Sequence, residues 1–329
     1  MRYMGSDKKL KEKRIVNLIY HDSEYLITDS EEPDFILVHI IGNYSFGVEV
    51  TEYYLNQSNA RIRNIANALT ERLQTGDCKH NRDKAELREE SIKIASAAKR
   101  RKKVAQEPLT IQLPPDVEKY VEGLIGRIID KNEKLKHYNL SPINLILLDT
   151  ENFFSHTISR DEVYTHLFNA ELKRQIINSG FREIYLITEV DKGKQIYIPL
   201  KMIYFLTELN LLIHFIDANY PELRNLSAKE FLTIGLQYFI SQGIKGLQFA
   251  ETDGVYQIAY SNYAVSLSPD KGFYLKDYFE RDLPQEYQPV QATSYESIID
   301  EAFRSGFEQY TKTNTLYFKI GYAVNQCEG

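Results

Sequence analysis

The dipeptide Pro33-Asp34 stands fifteen residues ahead of the tripeptide Glu49-Val50-Thr51. Around the second carboxylate, Phe46, Val48 and Val50 alternate with Gly47, Glu49 and Thr51. That period-two pattern is a strand with Glu49 and Thr51 on one face. Asp34 heads a second β-rich run, residues 35–41, so a hairpin of the two runs brings both carboxylates to one edge. A hard cation such as Mg²⁺ or Mn²⁺ takes oxygen ligands, typically one or two carboxylates with a carbonyl and water. Held there, it polarises a phosphate and activates water. Asp34, Glu49 and the main-chain carbonyl of Val50 are such a donor set.

Several elements must position these groups. Residues 7–20 carry Leu10, Val16, Leu18 and Ile19 among charged positions, the pattern of a helix leading into the first strand. Residues 25–28 form a β-rich run, the polar turn 29–33 follows, and Gly42-Asn43 marks the next turn. The three runs make an antiparallel meander. Ile62, Ile65, Leu69 and Leu73 recur at helical spacing, with Arg61 and Arg63 off that stripe. Pro114-Pro115-Asp116 then opens an amphipathic helix with Val117, Val121, Leu124, Ile125, Ile128 and Leu135. A strand at 143–148, a helix at 161–177 and a strand at 182–188 follow β-α-β logic. A strand at 196–200, a helix at 201–209 and a strand-like run at 211–216 extend it. Past Pro221 the spacing predicts a helix at 228–241, a hairpin at 247–267 turning at Asp253-Gly254, a helix at 295–310 and a strand at 316–322. These elements divide into a domain at 1–220 and an α+β extension or cap at 221–329.

The order of elements, with PDF followed by GVEVT, resembles the PD-(D/E)xK nuclease superfamily over roughly residues 7–190. The resemblance implies an α/β, restriction-endonuclease-like mixed sheet flanked by helices. It implies metal-dependent hydrolysis of nucleic-acid phosphodiester bonds, with DNA favoured over RNA, and a possible homodimer. Asp34 and Glu49 would be catalytic and metal-binding, and Val50 would add a carbonyl. By element order Glu12 matches the acid these enzymes often carry on the first helix; by itself it reads as a solvated charge beside Lys11 and Lys13. Thr51 stands where the family has its lysine and supplies no positive charge to the phosphorane-like transition state. Gln57, Lys131 and Lys134 are the candidates to replace it.

A second feature is the apolar run 143–148 ending in Asp149-Thr150-Glu151-Asn152. It is similar to the opening strand of NYN/PIN-type ribonucleases, which hold a metal with acids at strand ends; Glu189 and Asp217 would add further acids. A third reading is a non-catalytic nucleic-acid or protein-binding module on a degenerate nuclease scaffold, supported by the missing lysine.

Hydrophobic residues make up 43% and charged residues 26% of the 329, a globular composition that excludes disordered, collagenous and membrane classes. The formal net charge of −6 argues against non-specific coating of nucleic acid. Charge is nonetheless segregated: between Lys79 and Lys103 stand ten basic residues against four acidic ones. Lys99, Arg100 and Arg101 in that stretch, with Arg61 and Arg63, are candidate phosphate contacts. Cys78 and Cys327 are too far apart in sequence to form a disulfide framework, and Cys78-Lys79-His80 lacks the partner ligands of a zinc site. The histidines show neither HxxxH nor HExxH, and there is no Walker loop or GxGxxG. A charged N-terminus with no apolar segment behind it, and no membrane-spanning stretch, place the chain in the cytoplasm.

Overall fold

In the computed structural model the described residues are 4–54, 87–95, 104–112, 117–150, 152–154, 160–190, 193–252, 254–268, 272–276, 288–289, 299–314 and 322–323. The chain opens with helix α1 (Met4–Asn17) and strands β1 (Tyr25–Asp29), β2 (Phe35–His39) and β3 (Ser45–Tyr53). Strands β4 (Leu87–Ala95) and β5 (Val104–Gln112) pair as a separate antiparallel ribbon. Then come α2 (Val117–Leu135), β6 (Ile143–Asp149), α3 (Arg160–Leu167), α4 (Ala170–Ile177), β7 (Ile184–Val190), β8 (Lys194–Pro199) and α5 (Leu200–Asn219). The remaining elements are α6 (Ala228–Ser241), β9 (Gln248–Thr252), β10 (Val255–Tyr260), β11 (Tyr263–Ser268), β12 (Gly272–Lys276), β13 (Gln288–Pro289), α7 (Glu301–Thr313) and β14 (Tyr322–Ala323).

The main sheet has the order β1-β2-β3-β6-β7-β8-β14. Its first three strands are the expected antiparallel meander, β3 runs parallel to β6 and β6 to β7, and β8 is antiparallel to β7. The structure is therefore a mixed α/β sheet flanked by helices. A parallel neighbour needs a crossover, and the chain between β3 and β6 includes α2. The central strands are buried on both faces and read as near-continuous apolar runs. Ile146, Tyr185 and Ile187 enter one core with α1, α5, α6 and α7; Leu145, Leu147, Ile184 and Leu186 enter the other with α2, α3 and α4. A second sheet, β12-β11-β10-β9-β13, adds Ile258, Tyr260, Tyr263 and Val265 to the first core.

Three expectations are corrected. The helix expected at 161–177 is two helices, because Asn169 interrupts it in an extended conformation and caps the second: its Oδ1 accepts from Glu171 N (2.9 Å) and Leu172 N (3.1 Å). Replacing Asn169 by alanine leaves those N–H groups without their acceptor and costs about 1 kcal/mol, read as a lower midpoint in urea denaturation. The strand-like run 211–216 is the second half of one continuous helix, α5. Met202, Phe205, Leu209, Leu212, Phe215 and Ile216 are all buried. Residues 200–209 are all buried, and His214 is the one exposed position of 211–216, so the run shows little amphipathic period to distinguish it from a strand. Asp217 consequently lies exposed on a helix, not at a strand end. The β4–β5 ribbon had no counterpart among the expected elements. The helix expected at 59–73, with Gln57, Arg61 and Arg63, and the basic residues Lys99, Arg100 and Arg101 lie outside the described residues, as does Cys78. No helix among the described residues is long and apolar enough to cross a membrane.

Candidate active site

The ladder between β2 and β3 has its last rung at Phe35↔Val48. Beyond it β3 continues alone on that side, through Glu49 to Tyr53, while β6 stays paired on the other. The Val50 N–H donates to Asp34 Oδ2 at 2.9 Å. Asp34 therefore terminates the ladder and is fixed beside the segment that carries Glu49. Such a buried strand end without an acceptor is costly, which explains why a carboxylate is placed there.

Helix α2 crosses this segment. Tyr53 donates from its hydroxyl to the Tyr120 carbonyl (2.6 Å), and a Cβ on Gly123 would meet that hydroxyl at 2.6 Å, so only glycine permits the approach. From Gly123 to Lys131 is eight residues, about 12 Å along a helix. From Tyr53 back to Glu49 is four residues, about 13 Å along a strand. The two spans match, and Lys131 Nζ lies 2.5 Å from Glu49 Oε1. Lys131 continues the buried stripe Val121, Leu124 and Ile128 of α2 and is itself buried. A lysine in register with an apolar stripe is the signal that singles it out from Lys134, which is exposed. Tyr138, just past α2, lines the same cavity; burial first, and the nearby Glu49 carboxylate second, push its phenol above the usual tyrosine range.

Helix α1 closes the other side. Glu12 is buried, one turn before Ile15 and Val16, and its Oε2 accepts no hydrogen bond. Lys8 lies 3.3 Å from Glu12 Oε1, and that carboxylate raises its pKa. Lys9 Nζ reaches Glu12 Oε2 at 3.6 Å and Asp34 Oδ1 at 3.3 Å. The solvated reading of Glu12 is thereby replaced by a buried carboxylate facing the same space as Asp34.

All these groups line one cavity of about 390 Å³: Lys8, Lys9 and Glu12 from α1, Glu31, Glu32 and Asp34 before β2, Glu49 and Val50 from β3, Lys131 and Lys134 from α2, and His137 and Tyr138 beyond it. Thr51 is half-buried on β3 opposite Leu147 and is not part of the lining. Sequence reasoning missed Lys8, Lys9, His137 and Tyr138, and took Glu31 and Glu32 only as turn residues. Five carboxylates face four lysines there, so a bound dication would leave the cavity net positive and receptive to a phosphate.

The donor chemistry fits Mg²⁺ or Mn²⁺, being carboxylate oxygen with one buried carboxylate atom lacking a hydrogen bond. Among the described residues no three of His, Cys, Asp or Glu gather closely enough to hold a metal alone. An ion bound between Asp34 and Glu49 would complete its shell with water and substrate oxygen, as Mg²⁺ commonly does.

The rival acid behaves differently. Asp149 is buried at the end of β6 and its Oδ2 accepts from Thr188 Oγ1 of β7 at 2.8 Å, an interstrand link. Glu189 is half-buried on β7, opposite Gln195. Glu151 lies outside the described residues. Neither Asp149 nor Glu189 lines the cavity of Asp34 and Glu49. Comparison with known proteins brings no family model, no curated protein and no solved structure into match with this chain.

Proposed function

We propose that the chain is a divalent-metal-dependent nuclease with a restriction-endonuclease-like fold, acting on a nucleic-acid phosphodiester in the cytoplasm. DNA is the favoured substrate on the resemblance to PD-(D/E)xK enzymes. One observation carries the reading: a lysine from α2 reaches Glu49 in the cavity that also holds Asp34, supplying from a helix the charge that Thr51 lacks on the strand.

Asp34 and Glu49, with the Val50 carbonyl, would hold Mg²⁺ or Mn²⁺, which supplies Lewis acidity toward the phosphate and acidifies water. Lys131 presents an ammonium, on a side chain that is itself only 10% exposed, to the negative charge that develops on the phosphoryl oxygens. Tyr138 flanks the Glu49 carboxylate in the same lining, from beyond α2. Glu12 adds a carboxylate on the α1 side. Lys134, exposed at the cavity mouth, and the basic stretch Lys99–Lys103 between β4 and β5 in sequence would draw the phosphate backbone in.

A second reading is favoured by the same ion pairs. Each carboxylate is already engaged by an ammonium, as expected of a scaffold that binds nucleic acid without cutting it. Incubating the native chain with single-stranded DNA, double-stranded DNA and RNA in Mg²⁺ or Mn²⁺, and again in EDTA, separates the two. The nuclease cuts at least one substrate and stops in EDTA; a folded chain that binds nucleic acid equally with and without metal and never cuts it is the binding module.

A further inference from the structure

Lys9 is an unusual lysine. Its ammonium donates to the Ser30 carbonyl (2.9 Å), the Asp34 carbonyl (3.1 Å) and Asp34 Oδ1 (3.3 Å), and stands 3.6 Å from Glu12 Oε2. Its side chain is 24% exposed and lies over the Phe35 ring, 5.0 Å from the centroid. A lysine ammonium has three donors, and here all three are used on oxygen. An oxygen-only shell of two carbonyls and two carboxylates is also what a hard dication selects.

We propose that Lys9 is a tethered cation that holds the Asp34–Glu12 side of the site until a divalent ion displaces it. The proposal rests on the nuclease reading, since it takes Asp34 as a metal ligand. An ammonium on Asp34 Oδ1 competes with a metal for the same lone pairs, and the two positive charges repel at contact distance in a partly buried site. Lys131 holds Glu49 in the same way from the opposite side, but α2 is anchored by the Tyr53–Tyr120 hydrogen bond. Lys9 lies in the second turn of α1, and its bonds to Ser30 and Asp34 join that turn to the segment before β2. Metal entry therefore releases this lysine, and in the metal-free state the ammonium keeps the half-buried Asp34 carboxylate oriented and paired.

The test uses Mn²⁺, which binds oxygen and nitrogen sites within the same divalent series and gives a calorimetric signal. Isothermal titration of Mn²⁺ into the native chain and Lys9→Met, each checked for folding by circular dichroism, should show binding at least about fivefold tighter in Lys9→Met. On the native chain, acetylation of Lys9 read by peptide mass spectrometry should accelerate when Mn²⁺ is present, which needs no variant at all. Binding by the native chain with unchanged or weaker affinity in Lys9→Met, or without any rise in Lys9 acetylation, overturns the proposal and leaves the metal site standing. No Mn²⁺ binding by either chain removes the metal reading and this proposal with it.

Discussion

Changing Lys131 to methionine lowers cleavage by about 10²–10³-fold while Mn²⁺ still binds, whereas changing Asp34 to asparagine removes Mn²⁺ binding and cleavage together. The contrast follows from position. Asp34 spends one oxygen on the Val50 N–H and offers the other to a cation, so its amide retains the ladder cap and loses the ligand charge. Lys131 touches no proposed ligand atom except Glu49 Oε1. Removing its ammonium frees that oxygen and deletes only the positive charge meant for the transition state. Methionine matches the buried aliphatic stem, which keeps the stripe Val121, Leu124 and Ile128 packed. Single-turnover cleavage with saturating Mn²⁺, beside calorimetry on the same samples, checks both halves. Full activity in Lys131→Met would mean that Lys131 does not replace the missing lysine.

Charge in the cavity decides between the nuclease and the non-catalytic scaffold more sharply than the fold does. A fold hosts many functions, and the site must carry the claim. Two carboxylates each held by a lysine can be a resting state that metal and substrate remodel, or a finished structural ion-pair set. Buried ion pairs often contribute little net stability, so a chain that needed only a scaffold would be as well served by apolar residues at Glu49 and Lys131. Their presence at a ladder end, beside an open cavity of about 390 Å³, favours a functional reading of the pair.

The parts of this site that were legible share a local signature. Asp34 and Glu49 showed themselves because a strand of period two and a turn before it place both on one edge. Lys131 was legible as a lysine on an amphipathic helix, and its place on the buried stripe sharpens it from a candidate to a specific partner of Glu49. Lys9 carried no such signature: its acceptors are main-chain carbonyls and a carboxylate 21 to 25 residues away, and a carbonyl has no residue type. Glu12 reads as one more charge among Lys8, Lys9, Lys11 and Lys13 until the helix is rotated so that Ile15 and Val16 face inward. The same limit governed the fold. Amphipathic α2 was legible, whereas α5, whose apolar run 200–216 is exposed only at His214, was split into a helix and a strand. The β4–β5 ribbon was hidden because a strong basic run lies between its two strands in sequence.

Glu183 gives the second large effect, on stability. It is fully buried just before β7, where Oε1 accepts from Ile184 N and Lys201 N (both 2.8 Å) and the other oxygen meets the Ser261 hydroxyl. Burial pushes its pKa up to about 7, against the pull of those hydrogen bonds and, last, of the Lys201 charge. Lys201 is pushed down to about 8 by its own burial; its ammonium donates to the Ser179 and Phe181 carbonyls (2.8 and 2.5 Å). A carboxyl raised in the folded state favours folding when protonated. Its contribution is therefore complete below the unfolded value of 4.5 and is lost as pH rises through about 7. A lysine lowered in the folded state works in reverse, regaining stability from about 8 toward 10.5. Together they place a trough in stability near pH 7 to 8. Glu183→Gln keeps the acceptor for both N–H groups, and its amide donates to a rotated Ser261 hydroxyl, so it removes the acid-side slope. We expect it to match the native chain at pH 4.5 and to exceed it by about 1–3 kcal/mol at pH 8, a ceiling set by the displacement from 4.5 to about 7. Urea denaturation at the two pH values reads this directly. A Glu183→Gln chain less stable than native at pH 8 would show that the ionised carboxylate is a net favourable partner of Lys201 and that burial does not dominate at this position.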